Sequence, residues 1–195
     1  GQGLVIGSEY LFGKGVSINT MNNRNTGFKK HSSTDEYNYF RGVGATYVCS
    51  DRIDFSAFYS HRSLDGIADD TVLTSITTTG KHTVPREIER KNAAVLQTAG
   101  GNIRYVGNAF QIGFTGVYYA FNKRYDPQYR LYTKYYFRGK QGYNAGIDYK
   151  FHFRNAFLMG EVAMDRNGNL AMLHSLRYTF SPTWQIVALY RYYDM

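Results

Sequence analysis

The densest set of chemically capable side chains lies in residues 123–140. Six cations, Lys123, Arg124, Arg130, Lys134, Arg138 and Lys140, share this stretch with one acid, Asp126. They are interleaved with Tyr125, Tyr129, Tyr132, Tyr135, Tyr136 and Phe137. Cations reach phosphate oxygens and aromatic faces stack on bases, so the set suits single-stranded nucleic acid. It also suits the phosphates of lipopolysaccharide, with tyrosines at headgroup level. The second reading is the plainer one for a loop at a membrane surface.

Asp148, Lys150, His152 and Glu161 form the next set, on neighbouring strand patterns. Two carboxylates and a histidine can carry acid–base chemistry, yet charged ladders are ordinary filling for the inside of a β-barrel. A lumenal polar ladder is therefore expected. Residues 29–36 place Ser, His and acids together, but catalytic triads depend on geometry rather than proximity in sequence, and a solvated loop is expected there. The five histidines show no His-x-x-x-His spacing and Cys49 is the single cysteine, so neither a metal site nor a cofactor is expected. Cys49 reads as a small apolar residue in a strand. No catalytic residue and no small-molecule substrate is indicated.

The elements that must carry these residues read as strands. Tyr143, Ala145, Ile147, Tyr149, Phe151 and Phe153 alternate with Asn144, Gly146, Asp148, Lys150 and His152. Phe110, Ile112, Phe114, Tyr118 and Ala120 share one face, while Gln111, Gly113 and Thr115 take the other. Strand side chains point alternately to opposite faces, so each segment has a greasy side and a polar side. The pattern predicts strands over 3–13, 38–49, 53–62, 96–106, 109–121, 141–153, 156–164, 169–180 and 184–193. Glu161 is turned to the polar side. In 169–180, either His174 or the pair Ser175 and Arg177 must join the apolar side.

Connections decide the architecture. Tight turns at Ser50-Asp51-Arg52, Gly107-Asn108, Arg154-Asn155 and Ser181-Pro182-Thr183 alternate with longer links at 14–38, 63–95, 122–141 and 165–169. Sorting of this kind, short at one end and long at the other, is the outer-membrane arrangement. Within 63–95, a short helix is expected around Pro85 with a Thr83 cap, and 71–79 suggests a small additional strand pair.

Composition agrees. Tyrosine (nineteen) and phenylalanine (thirteen) are abundant in 195 residues that are hydrophilic on average. An ordinary core prefers Leu, Ile and Val, whereas a barrel with aromatic girdles and a polar interior gives this mixture. No apolar run approaches the length of a membrane-crossing helix. The net charge of +8 supports association with acidic surfaces or polyanions.

Several stretches, in order and spacing, carry a family resemblance. They are Gly1-Gln2-Gly3-Leu4-Val5-Ile6, Thr34-Asp35-Glu36-Tyr37-Asn38-Tyr39-Phe40-Arg41-Gly42-Val43 and Phe55-Ser56-Ala57-Phe58-Tyr59-Ser60. The set continues with Gly100-Gly101-Asn102-Ile103-Arg104-Tyr105, Tyr136-Phe137-Arg138-Gly139-Lys140, Gly146-Ile147-Asp148-Tyr149, and Phe153-Arg154-Asn155 ahead of Gly160-Glu161-Val162-Ala163. Together they resemble the C-terminal β-barrel region of helix-hairpin-helix (competence ComEA-like) proteins of Bacteroidota. The resemblance implies a barrel joined in the parent protein to periplasmic helix-hairpin-helix repeats, which carry the link to DNA. No paired short helices around a glycine hairpin stand in this sequence, so DNA binding would belong to another part of the parent.

The expectation is an all-β chain: an antiparallel up-and-down meander of about nine strands over residues 1–195, a single partial domain cut from a bacterial outer-membrane β-barrel. The odd strand count and the missing export signal are what suggest a piece. Its expected role is non-enzymatic, as anchor, scaffold or transporter. Its expected partners are outer-membrane lipid and lipopolysaccharide, with nucleic acid reached through the parent protein. Two alternatives stay open: a barrel enzyme acting on lipid, using Ser60, His61 or His174-Ser175, and a soluble β-sheet binding module.

Overall fold

The computed structural model describes residues 28, 37 and 39–194. They fold as an all-β chain with one sheet of nine strands. In chain order these are β1 Gly42–Ser50, β2 Ile53–Ala68, β3 Val72–Thr77, β4 Ala94–Val106, β5 Phe110–Tyr125, β6 Gly139–Phe153, β7 Ala156–Asp165, β8 Leu170–Ser181 and β9 Trp184–Tyr193. A short helix α1, Pro85–Glu89, lies between β3 and β4. A single 3-10 turn, Leu131–Thr133, lies between β5 and β6.

Nine strands lie within the described residues, and their membership differs from the nine expected over the whole chain. The expected strand 3–13 lies outside the described residues, as do 29–36, and β3 supplies the ninth. β3 departs from a simple meander, because β2 pairs directly with β4 over most of its length. β3 folds back on the far end of β2, from Asp65↔Thr77 to Ala68↔Leu73, and touches β5 in parallel at Val72↔Arg124 and Leu73↔Tyr125. The remaining strands each pair antiparallel with their chain neighbours through β9.

β2 runs to Ala68 rather than ending at 62, and β5 runs to Tyr125 rather than 121. The polar run His61-Arg62-Ser63 hides this extension in the sequence. What sustains it is tertiary: Leu64, Leu73, Ala94 and Tyr37 form a buried cluster, with Leu96, Phe121 and Tyr125 packed against it. The helix forms where expected, but its N-cap is Val84, not Thr83. Thr83 acts from one residue earlier, its N–H and Oγ–H donating to the Glu87 carboxylate at 2.8 and 2.9 Å.

Register assigns the two faces. One row across the sheet reads Tyr47–Phe55–Ile103–Phe114–Ile147–Val162–Met172–Tyr192. The row one residue along reads Val48–Asp54–Arg104–Gly113–Asp148–Glu161–Leu173–Arg191. Successive residues of a strand point oppositely, so these rows belong to opposite faces. The apolar face is the open one: Phe55, Ile103, Phe114, Ile147 and Ile186 are 42–56 % exposed. The polar face holds the buried side chains Ser60, Leu64, Ala94, Thr98, Asp148, Met159, Leu173 and Ser175.

Candidate functional site

The four residues of the expected ladder lie on the polar face. Asp148 and Glu161 are directly paired across β6 and β7, while Lys150 and His152 pair with Met159 and Phe157. Like charges placed opposite one another repel, and cations share the same face. Arg104, two strands from Asp148, donates from Nε to Asp54 at 2.9 Å, with a second, short contact from Nη2. Gly113 stands between Arg104 and Asp148 in the row. A Cβ there would lie 2.6 Å from Asp148 Oδ1, so the missing side chain makes room for the carboxylate. His152 is exposed near the turn and edges onto the Phe157 ring at 6.3 Å.

Register also decides the position that the sequence leaves open in β8. His174 pairs with Gly160 and Tyr190 on the apolar face, and Ser175 and Arg177 take the polar face. Tyr149 Oη is 2.7 Å from His174 Nδ1 across Gly160, whose lack of a side chain permits the contact. The imidazole stacks on Tyr190 with ring planes 12° apart. A polar ring on an apolar face is thereby hydrogen-bonded and covered. Adjacent residues on opposite faces cannot act together, which separates His174 from Ser175 and Ser60 from His61. Ser60 Oγ is engaged with the backbone of Arg41 instead, accepting its N–H at 3.0 Å.

The basic-aromatic stretch divides into local pairs. Arg130 donates to Tyr132 Oη and Gln128 Oε1, each at 3.0 Å. Lys134 sits 4.9 Å over the Tyr135 ring. Arg138 is paired with Asp126 at 3.4 Å and donates to the Pro127 and Thr133 carbonyls. Lys123 and Arg124 belong to β5 and Lys140 to β6. Phe137 folds back onto the polar face, stacking on Phe121 and meeting Tyr119 edge-on with ring centroids 6.0 and 5.1 Å apart. Tyr136 stays half exposed.

One pair escapes sequence reasoning altogether. Asp65, buried at the far end of β2, receives the Asn92 N–H at 2.9 Å and lies 2.8 Å from His82 Nε2. Its own N–H donates to Tyr37 Oη, so one carboxylate residue ties together segments distant in the chain. No spacing rule connects Asp65 with His82; only the return of the β3–β4 link over β2 brings them together. Burial holds the Tyr37 phenol above its ordinary value, opposed by the Asp65 hydrogen bond and the Arg62 charge. Among the described residues, no group of three or more His, Cys, Asp or Glu is arranged to hold a metal ion.

No family model, no curated protein and no solved structure matches the chain.

Proposed function

We propose that this sheet is part of the wall of a bacterial outer-membrane β-barrel, acting as an anchor, scaffold or transporter rather than as an enzyme. The observation that carries this reading is inverted burial. Large apolar side chains stand exposed on one face, while Asp148, Ser175, Thr98 and Ser60 are buried on the other. A water-soluble sheet would cover its apolar face, whereas a membrane sheet turns it to hydrocarbon.

Two aromatic belts agree with a bilayer. Tyr105, Phe110, Phe151, Tyr178 and Trp184 lie toward the short turns, and Tyr59, Tyr118, Tyr143 and Tyr192 toward the long links. From Phe110 to Tyr118 the strand rises ~26 Å at ~3.3 Å per residue. At the ~40° tilt usual in such barrels that is roughly 20 Å, near the height of an apolar membrane band. No described helix is long and apolar enough to cross a membrane.

The end with the long links favours an anchor or scaffold over an open pore. There the cluster around Leu64 and Leu73, with Phe137 stacked on Phe121, packs apolar side chains at the polar face. The resemblance to helix-hairpin-helix proteins supplies the wider proposal: the barrel holds a DNA-binding part of the parent protein at the membrane.

Flotation of the parent protein with outer-membrane lipid, together with heated and unheated samples on a semi-native gel, tests the reading. Flotation with a heat-dependent mobility shift is expected. A protein that stays in the aqueous fraction and shows no shift would exclude the membrane barrel.

A further inference from the structure

The loop between β5 and β6 does more than carry charge. Between it, the β7–β8 turn and the polar face of β6–β8 lies a cleft of about 710 Å³. That volume is in the range of small-molecule sites. Its walls come from three parts of the chain: Tyr136 and Lys134 from the loop, Arg166 from the turn, and Tyr119 and Asn144 from the sheet.

Donors in the cleft are arranged for a ligand of mixed character. The Arg166 guanidinium lies 5.2 Å over the Phe137 ring and is held by the Gln141 carbonyl, which accepts from Nη1 at 2.5 Å. Its Nη2, the Lys134 ammonium and the Asn144 amide have no hydrogen-bond acceptor among the described residues. Beside these donors stand the Tyr135 and Tyr136 rings, 62 % and 51 % exposed. Aromatic faces take the C–H face of a sugar ring, amides and phenols take its hydroxyls, and the two cations take an acidic substituent.

We infer that this cleft binds an acidic oligosaccharide, such as phosphorylated or carboxylated sugars at the cell surface. The inference rests on the barrel reading only for its location; the cleft and its donors stand without it. Nucleic acid fits less well. Polyanion tracks need an unbroken row of free cations, whereas Arg138 is spent on Asp126 and two carbonyls and Arg130 on Tyr132 and Gln128. The lining also carries Asp165 and Asp194 beside Lys134, Arg138 and Arg166, so it offers a place for a single acidic group and no continuous track for a phosphate backbone.

The test is equilibrium binding to the purified full chain in detergent micelles. The probes are delipidated, phosphorylated lipopolysaccharide oligosaccharide, its dephosphorylated form, a neutral glucan and a single-stranded oligodeoxynucleotide. Saturable binding of the phosphorylated sugar is expected, with weaker binding of the other three. Tyr136→Ala and Arg166→Gln should each weaken it about tenfold, the loss typical of truncating an anchor in a binding site. Arg86→Ala removes a charge from α1, outside the cleft, and should leave binding unchanged. Each variant is first shown to keep the parent's gel mobility; if Tyr136→Ala fails this, Tyr136→Leu replaces it. No saturable sugar binding, oligodeoxynucleotide binding as tight as sugar binding, or equal losses in Arg86→Ala would overturn the inference. Binding of intact lipopolysaccharide vesicles alone would place recognition in the lipid and also overturn it. Because the probes are soluble, a failure here is separable from a failure of flotation.

Discussion

At Arg154 a single backbone angle conflicts with the side chain that adopts it. Its φ is 47°, in the left-handed region of the turn between β6 and β7. That conformation costs a residue with a Cβ about 1 kcal/mol or more. The guanidinium lies 5.5 Å over the Phe153 ring, which returns about 0.5 kcal/mol at an exposed site. Arg154→Gly is therefore expected to raise the heat-modification midpoint slightly, a net gain of roughly 0.5 kcal/mol. An unchanged or lower midpoint would mean that the ring contact outweighs the strain. At Gly160 the sign reverses. A Cβ would stand 2.4 Å from His174 Nδ1 and 2.7 Å from Tyr149 Oη. Gly160→Ala should cost about 2–3 kcal/mol, combining overpacking with a lost hydrogen bond. In Tyr149→Phe, which lacks the hydroxyl, the same substitution should cost measurably less.

Elements depend on such residues collectively. Gly113→Ala would push a methyl to within 2.6 Å of the buried Asp148 carboxylate between β5 and β6. The expected loss is about 1–3 kcal/mol, read as a lower midpoint of unfolding in urea; wild-type stability would show that Asp148 can move aside. In α1, the Thr83 N–H and hydroxyl, with the Val84 N–H, hold the Glu87 carboxyl below its ordinary value. A lowered folded value means stabilisation of the helix that is complete above the unfolded value and lost as pH falls through the folded one. Protease cleavage of the link between β3 and β4 should accelerate in that acidic window. In Glu87→Gln the link should be cleaved faster at neutral pH and lose this acid dependence. The strand cores at 143–153 and 109–121 are legible because alternation is strict in the first and holds from Phe110 to Thr115 in the second. The far ends of β2 and β5 are not, since their partners Leu64, Leu73 and Phe121 meet only across the folded sheet.

For the whole molecule, orientation of the two faces is the question that matters most. Trp184 is the single tryptophan and stands 73 % exposed on the apolar side at the short-turn end. In vesicles containing brominated lipid its fluorescence should be strongly quenched, because the bromine atoms then lie within contact range of the indole. Full emission in those vesicles would place this face away from hydrocarbon. The single measurement reports on the sheet as a body, since β9 is joined to the rest through an unbroken run of antiparallel pairs.

Alternation along the chain was enough, by itself, to determine the all-β character, the approximate strands, the tight turns and which side of most strands is greasy. It could do so because the period-two geometry of a strand is local. Tertiary structure alone decided three things: that the strand in the 71–79 stretch pairs with β2 and β5 rather than with a second strand of its own, that His174 and not Ser175 joins the apolar face, and that Asp65 meets His82. Those outcomes depend on register and on the return of links over the sheet. The basic-aromatic stretch shows both sides. Its composition is plain in the sequence, but the folded loop ties Arg138 to Asp126 and backbone carbonyls and Arg130 to Tyr132 and Gln128, while Lys134 keeps its ammonium without a hydrogen-bond acceptor among the described residues.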